Sequence, residues 1–195
     1  MLKFDLEYKI DSLSEKDSMF ECISIIDSVL GKNYVDAKKL VSMVKDDNFI
    51  CLKATTLNDK IVGVAIACIM SVDEAIEYLK IEKYEIPDDV RFCDNISIIK
   101  IVAIDDNFQK IGIGTNFIRE LEKIFWDMNL RVIFIPAWRH DNIENIGELL
   151  VKNGYKSLCI IERYYEKDSL KGGFSCPVCG DNGCHCDVNI FFKVV

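Results

Sequence analysis

Two closely spaced glycines, Gly112 and Gly114, lie between an apolar run and an amphipathic one within residues 105–115. Glycine lets the backbone approach an anion without a Cβ atom in the way, and the free N–H groups and dipole of a helix N-terminus attract negative charge. Lys110 adds a cation beside them. The spacing predicts a turn that binds a diphosphate, and a tight strand-to-helix turn without a ligand is the alternative.

Four of the nine cysteines lie within eleven residues near the C-terminus. The spacing Cys-x-x-Cys-Gly, followed by Cys-His-Cys, lets glycine turns bring four thiolates to one point. Four sulfur ligands suit a structural Zn²⁺, His185 is an alternative ligand, and free thiols or a redox pair are competing interpretations. We expect the ligands in a small insertion at residues 172–187. They are Cys176, Cys179, Cys184 and Cys186.

Hydrophobic periodicity predicts the elements that position these groups. Residues 96–104 are almost unbroken apolar sequence, which is typical of a central strand buried on both faces. Apolar residues recur at helical spacing from Gly114, and residues 131–137 form another apolar run, so a strand-helix-strand unit is predicted. The other predicted strands span residues 6–10, 49–56, 60–70, 156–165 and 187–195.

The remaining helices are predicted from caps and stop signals. Ser14, with Asp17 three residues later, predicts the start of a helix that buries Phe20 and ends at Gly31. Residues 73–95 are expected to begin as a helix and continue as a loop, and a further helix is predicted over residues 143–152.

Composition limits the classes of function. The 195 residues are half hydrophobic and carry a net charge of -8, which predicts one globular domain over residues 1–195 and disfavours nucleic acid as a partner. The charge favours a cationic substrate. No apolar run is long enough for a membrane span and the N-terminus lacks a signal-peptide core, so a cytoplasmic monomer or homodimer is expected.

Residues 102–114 resemble the acetyl-CoA signature of the GNAT superfamily of N-acetyltransferases. The signature is a hydrophobic strand followed by Gln/Arg-x-x-Gly-x-Gly/Ala, here Gln109-Lys110-Ile111-Gly112-Ile113-Gly114. The order of the elements resembles that family as well. The resemblance implies an α/β (α+β) fold with a mixed, mostly antiparallel sheet of about seven strands flanked by helices. A splayed parallel strand pair would form the cleft for acetyl-CoA.

The resemblance also implies which residues contact the cosubstrate. The pantetheine arm would pair with the central strand near Val102, Ala103 and Ile104. Asn142 resembles an asparagine that often contacts CoA, and an ordinary N-cap is its alternative role. The diphosphate would bind the backbone of Gln109, Lys110, Ile111, Gly112, Ile113, Gly114 and Thr115.

The implied reaction is direct attack of a neutral primary amine, from a small molecule or a peptide, on the thioester. Many GNAT enzymes place a glutamate base on the central strand, but residues 96–100 contain none, and Asp94 is the nearest carboxylate. The usual acid tyrosine is replaced by Leu150, so Tyr155 is the predicted acid, with Tyr164 and Tyr165 as further hydroxyls. His140 is a candidate proton relay.

Two other classes of function compete with an acetyltransferase. The missing glutamate and tyrosine fit a catalytically weak or silent CoA-binding protein that docks a partner through a zinc-clamped hairpin. Reactive thiols in the cysteine cluster would instead indicate a redox or metal-handling protein. The acceptor is set by side chains that no motif marks.

Overall fold

The computed structural model describes residues 7–141, 143–144, 146–171, 173–181 and 183–195. The strands are β1 (Tyr8–Ser12), β2 (Phe49–Thr56), β3 (Ile61–Ser71), β4 (Asn95–Ile104), β5 (Val132–His140), β6 (Ile143–Glu144), β7 (Lys156–Ile161) and β8 (Asp187–Val194). The helices are α1 (Met19–Leu30), α2 (Ala37–Lys45), α3 (Val72–Leu79), α4 (Asp88–Arg91), α5 (Ile113–Asp127), α6 (Gly147–Lys152) and α7 (Glu166–Leu170). Over these residues, no helix combines the length and apolar character that crossing a membrane requires.

The strands form one mixed sheet in the order β1-β2-β3-β4-β5-β8-β7, with the two-residue β6 paired to β5. Neighbouring strands run antiparallel except for β4 and β5, which are parallel. The predicted fold class is therefore confirmed, with β6 as a short eighth strand. The parallel pair is reached through α5, as the strand-helix-strand pattern predicted.

The parallel strands β4 and β5 separate soon after they begin. Only Ser97 and Ile98 of β4 pair with β5, and the Ser97 hydroxyl donates to the carbonyl of Val132 at 2.9 Å. On its other side β4 carries a β-bulge, since Ile66 of β3 pairs with Ile101 and the next residue pairs with Ile99. Lys100 is the extra residue of this bulge. A bulge bends its strand and re-aims a side chain.

Helices cover both faces of the sheet and bury its two sets of alternating side chains. On one face, Phe117, Leu121 and Phe125 of α5 are buried in one hydrophobic cluster. On the other face, α1 and α2 bury Ile26 and Leu40 in a second cluster. β4 is therefore packed between α5 on one face and α1 on the other.

Two predicted helix boundaries were wrong. The first helix starts at Met19 and is capped by Ser18, whereas Asp17 closes an earlier turn with Ser14, so Phe20 faces outward and is 83% exposed. The predicted helix at residues 143–152 begins only at Gly147. Its first part pairs with the end of β5 as β6.

Candidate active site and metal cluster

The glycine groove is a cavity of about 620 Å³ at the N-terminus of α5. Gly112 has a φ of +99°, which L-residues rarely adopt, and within the described part of the chain no side chain caps the helix. A Cβ on Gly114 would lie 3.3 Å from Ile104 and 3.6 Å from Leu149, so glycine is needed for close helix-strand packing. The first-turn N–H groups are therefore placed to receive an anion.

Most of the predicted cosubstrate residues line this groove. They are Val102, Ile104, Gln109, Lys110, Gly112, Gly114 and Thr115. The other side chains do not: Ala103 is buried under α1 and α2, Ile113 lies in the core beneath α5, and Ile111 packs against that core. Asn142 lies outside the described residues.

The aromatic chamber is a cavity of about 740 Å³ at the bulge of β4. Its inner wall carries Lys100 and Ile101 of β4. Exposed carboxylates lie around its rim, from Asp36, Glu74, Glu77 and Asp168. Five aromatic side chains also line it: Tyr34, Tyr78, Tyr164, Tyr165 and Phe174.

The tyrosines of the chamber are held in fixed positions and stay neutral. The Tyr164 hydroxyl donates to the carbonyl of Tyr78 at 2.6 Å, and the rings of Tyr164 and Tyr165 are 4.7 Å apart in an edge-to-face arrangement. Burial raises the pKa of Tyr34, Tyr78 and Tyr165 above the usual value. These hydroxyls can therefore donate or accept hydrogen bonds but are poor bases near neutral pH.

The glycine groove and the aromatic chamber meet along β4. Lys100 and Ile101 line the chamber, while the following residue, Val102, lines the groove. A third, small apolar cavity is lined by Val29, which also lines the groove, and by Tyr165, which also lines the chamber. A molecule bound in the groove can therefore present one end to a second molecule in the chamber.

The four cysteine sulfurs form one compact group. All lie within 4.8 Å of one another, with Cys186 Sγ 3.8 Å from Cys176 Sγ and 3.5 Å from Cys179 Sγ. A zinc tetrahedron with Zn–S bonds of about 2.3 Å has edges of about 3.8 Å. The sulfurs of Cys176, Cys179, Cys184 and Cys186 therefore fit a metal ion.

Backbone N–H groups support the thiolates of the cluster. The N–H of Cys179 donates to Cys176 Sγ at 3.4 Å, and the N–H of His185 donates to Cys179 Sγ at 3.4 Å. Burial opposes ionisation, yet the N–H donors lower the pKa of Cys176 below the usual thiol value. The His185 ring contacts Arg163 and Glu166 instead of joining the sulfurs.

The cysteine cluster packs directly against the aromatic chamber. Trp138, Phe174 and Tyr165 contact it, and the last two line the chamber. The ring of Phe174 lies 5.6 Å from that of Tyr165 and 5.7 Å from that of Tyr34. The cluster therefore holds one wall of the chamber.

The three predicted catalytic residues lie away from the junction of the two cavities. Asp94 is exposed at the far end of β4, about 26 Å along the strand from Val102 at 3.3 Å per residue. Tyr155 is buried in the core, and burial together with the neighbouring Glu122 raises the pKa of its hydroxyl. His140 stacks on Trp138, with Nδ1 3.8 Å from Cys186 Sγ. The structure thus brings none of the three beside the groove or chamber.

Comparison with solved structures identifies the fold, although no protein-family model and no curated protein matches the sequence. Arabidopsis thaliana NAA60 in complex with acetyl-CoA has a TM-score of 0.72 at 14% identity, over 97% of this chain and 99% of that chain. A GNAT-family acetyltransferase from Streptococcus pneumoniae has a TM-score of 0.63 at 18% identity, over 97% and 100%. The ribosomal-protein-S18-alanine N-acetyltransferase of Escherichia coli has a TM-score of 0.64 at 15% identity, over 97% and 94%. This similarity shows that the chain has the GNAT fold.

Proposed function

We propose that this protein transfers an acetyl group from acetyl-CoA to a primary amine. The observation that carries the proposal is that the glycine groove and the aromatic chamber are lined by consecutive residues of β4, where β4 and β5 separate. The groove offers an uncapped helix N-terminus to the diphosphate, and the chamber offers the acceptor a separate entrance. The solved structure of Arabidopsis thaliana NAA60, which has a similar fold, contains acetyl-CoA and supports this choice of cosubstrate.

The chamber suits an acceptor with a cationic amine and an apolar body. Its rim carboxylates attract the ammonium group, and its aromatic rings bind apolar surface or a cation. The thioester would lie near Val102, where the open edge of β4 offers backbone N–H groups to the developing oxyanion. Positioning of the two substrates supplies a large part of the rate in such a reaction.

The cysteine cluster is proposed to hold a structural Zn²⁺. The four sulfurs leave no ligand position for a substrate, which is the arrangement of a closed structural site. A bound metal would fix the segment between α7 and β8 and, through it, Phe174 and Tyr165. The ion takes no part in the proposed transfer.

A Thr115→Glu variant is expected to lose at least about tenfold in acetyl-CoA affinity, because a carboxylate would face the phosphates across the groove. Thr115 lies in the first turn of α5 and lines the groove. The helix dipole stabilises a negative side chain in the first turn, so the glutamate is not expected to lower the stability of the fold. Calorimetric titration with acetyl-CoA measures the change, and Thr115→Gln is the matched uncharged control.

Transfer is tested with a panel of amines that includes tyramine and a peptide with a free N-terminal alanine. Release of CoA thiol in the presence of one of these amines would support the proposed acetyltransferase activity, provided that Thr115→Glu loses this activity and Thr115→Gln keeps it. Binding of acetyl-CoA without transfer to any amine would favour a CoA-binding module. If folded wild-type protein does not bind acetyl-CoA, both the acetyltransferase and the CoA-binding module are refuted.

A further inference from the structure

Lys100 occupies the bulge of β4, where the aromatic chamber meets the glycine groove. It has no partner residue on β3, and the pairing of β4 with β5 ends two residues earlier, at Ile98. Its side chain lines the chamber, and Val102, two residues further along the strand, lines the groove. The bulge therefore places an amine at the end of the groove where a thioester would lie.

The Lys100 side chain lies beside aromatic rings, and the carboxylates of the chamber rim form no ion pair with it among the described residues. Nζ lies 4.4 Å from the centre of the Tyr78 ring and 5.6 Å from that of Phe49. Among the described residues, no carboxylate forms an ion pair with it. Burial and the nearby ammonium of Lys39 lower the pKa of Lys100, although the Cys68 thiol opposes the shift. A partly desolvated lysine without an ion pair loses its proton more easily than an exposed one.

The other titratable groups of the chamber are poorly suited to accept a proton from a bound amine. Three of the exposed rim carboxylates are already engaged: Asp36 caps α2, Glu74 caps α3 and Asp168 pairs with Lys80. The fourth, Glu77, is also exposed. Burial raises the pKa of Tyr34, Tyr78, Tyr164 and Tyr165, which line the chamber, and it raises the pKa of Cys68, which is buried in the core, to about 11.

We propose that Lys100 is the general base that deprotonates the acceptor amine. The inference rests on the proposed function. It identifies a base for a site where Asp94 is too distant and where residues 96–100 contain no glutamate. The position at the bulge, the chamber around Nζ and the absence of an ion pair in the described residues carry it.

The proposed step balances with acetyl-CoA and the amine alone. The neutral Lys100 amine takes one proton from the acceptor ammonium, and the freed lone pair forms the new C–N bond at the acetyl carbon. The C–S bond then breaks, and the second proton lost by the nitrogen ends on the CoA sulfur. Lys100 returns its proton to solvent.

Both Lys100→Met and Lys100→Arg are expected to lower kcat about 100-fold, with unchanged affinity for acetyl-CoA. Methionine keeps much of the side-chain volume without an amine, and arginine keeps the positive charge but does not deprotonate. For the wild type, kcat should rise as pH rises through the pKa of Lys100 and level off below the pKa of an ordinary lysine. The fastest amine of the panel is the probe, and Lys38→Met on the exposed side of α2 is the control.

Retained transfer in Lys100→Arg would overturn the proposal, because positive charge alone would then suffice. Retained transfer in Lys100→Met would overturn it as well. A second measurement needs neither acetyl-CoA nor an acceptor: competitive labelling with trace acetic anhydride across a pH series reports when each lysine becomes neutral. Lys100 is expected to label with a lower midpoint than Lys38, and an equal midpoint would refute the inference even where acetyl-CoA binds. Failure of the wild type to bind acetyl-CoA would instead refute the proposed function.

Discussion

Removing the proposed Zn²⁺ from the cysteine cluster is expected to lower the proposed transfer to the amine about 100-fold while leaving acetyl-CoA affinity unchanged, since misplacing a positioning group by about 1 Å has effects of that size. The cluster contacts Phe174 and Tyr165 of the aromatic chamber. The residues that line the glycine groove belong to other segments, mainly β4, the turn before α5 and α5 itself. Loss of the cluster should therefore disturb the acceptor side alone.

The measurement compares zinc content, thermal unfolding and kinetics of the wild type with a Cys176→Ser, Cys179→Ser variant and with chelator-treated protein. We expect one zinc per chain in the wild type, none in the variant, and faster proteolysis of the segment before β8 when the metal is absent. Cys159→Ala, on β7 outside the cluster, is the control and should keep its zinc. Metal-free wild-type protein with unchanged unfolding after chelation would leave the cluster as free thiols and contradict the proposal.

The sequence was sufficient to predict the parts of the site that depend on local chemistry. The turn around Gly112 and Gly114 was recognisable because helix-start geometry and glycine spacing are local. The cysteine cluster was recognisable for the same reason: two short turns determine where its sulfurs point. The β4–α5–β5 unit followed from uninterrupted apolar runs with a helical period between them.

The aromatic chamber was missed because its residues come from segments far apart in the sequence. Tyr34 follows α1, Tyr78 lies on α3, and Tyr165 follows β7. The signal that was present, the adjacent pair Tyr164 and Tyr165, predicted hydroxyls but not a chamber. Sheet order alone brings these segments together.

The predicted catalytic residues lie away from the two cavities for a related reason. Residue type suggests an acid or a base, but the direction of a side chain depends on strand register. Tyr155 follows a turn at Gly154 and its ring packs into the core under α5. The sequence did not predict a role for Lys100, because its position depends on a register shift between β3 and β4. This shift places Lys100 at the chamber and has no local sequence signature.

Gly31→Ala is expected to destabilise the fold by about 3 kcal/mol more than Gly112→Ala, because overpacking against a backbone atom adds to the strain of a backbone conformation that is essentially restricted to glycine. Both glycines have positive φ angles, +100° and +99°, but their ψ angles differ, 154° at Gly31 and -3° at Gly112. The conformation of Gly31 is therefore the more costly of the two for a residue with a Cβ atom. A Cβ on Gly31 would lie 2.0 Å from the carbonyl oxygen of Ser175, whereas a Cβ on Gly112 meets nothing within 4 Å. The difference between the two variants therefore combines the backbone strain at Gly31 with the contact between the end of α1 and the segment that enters the cysteine cluster.

Urea unfolding of the two alanine variants measures this difference in the free energy of unfolding. The N–H of Ser175 donates to the carbonyl of Lys32 at 2.9 Å, so this segment is tied to the end of α1 and cannot move aside without losing that bond. Tyr34 lies two residues from Lys32, Phe174 lies one residue from Ser175, and the rings of Tyr34 and Phe174 are 5.7 Å apart. Equal destabilisation by both substitutions would show that the segment yields freely, and the chamber wall would then depend on the cluster alone.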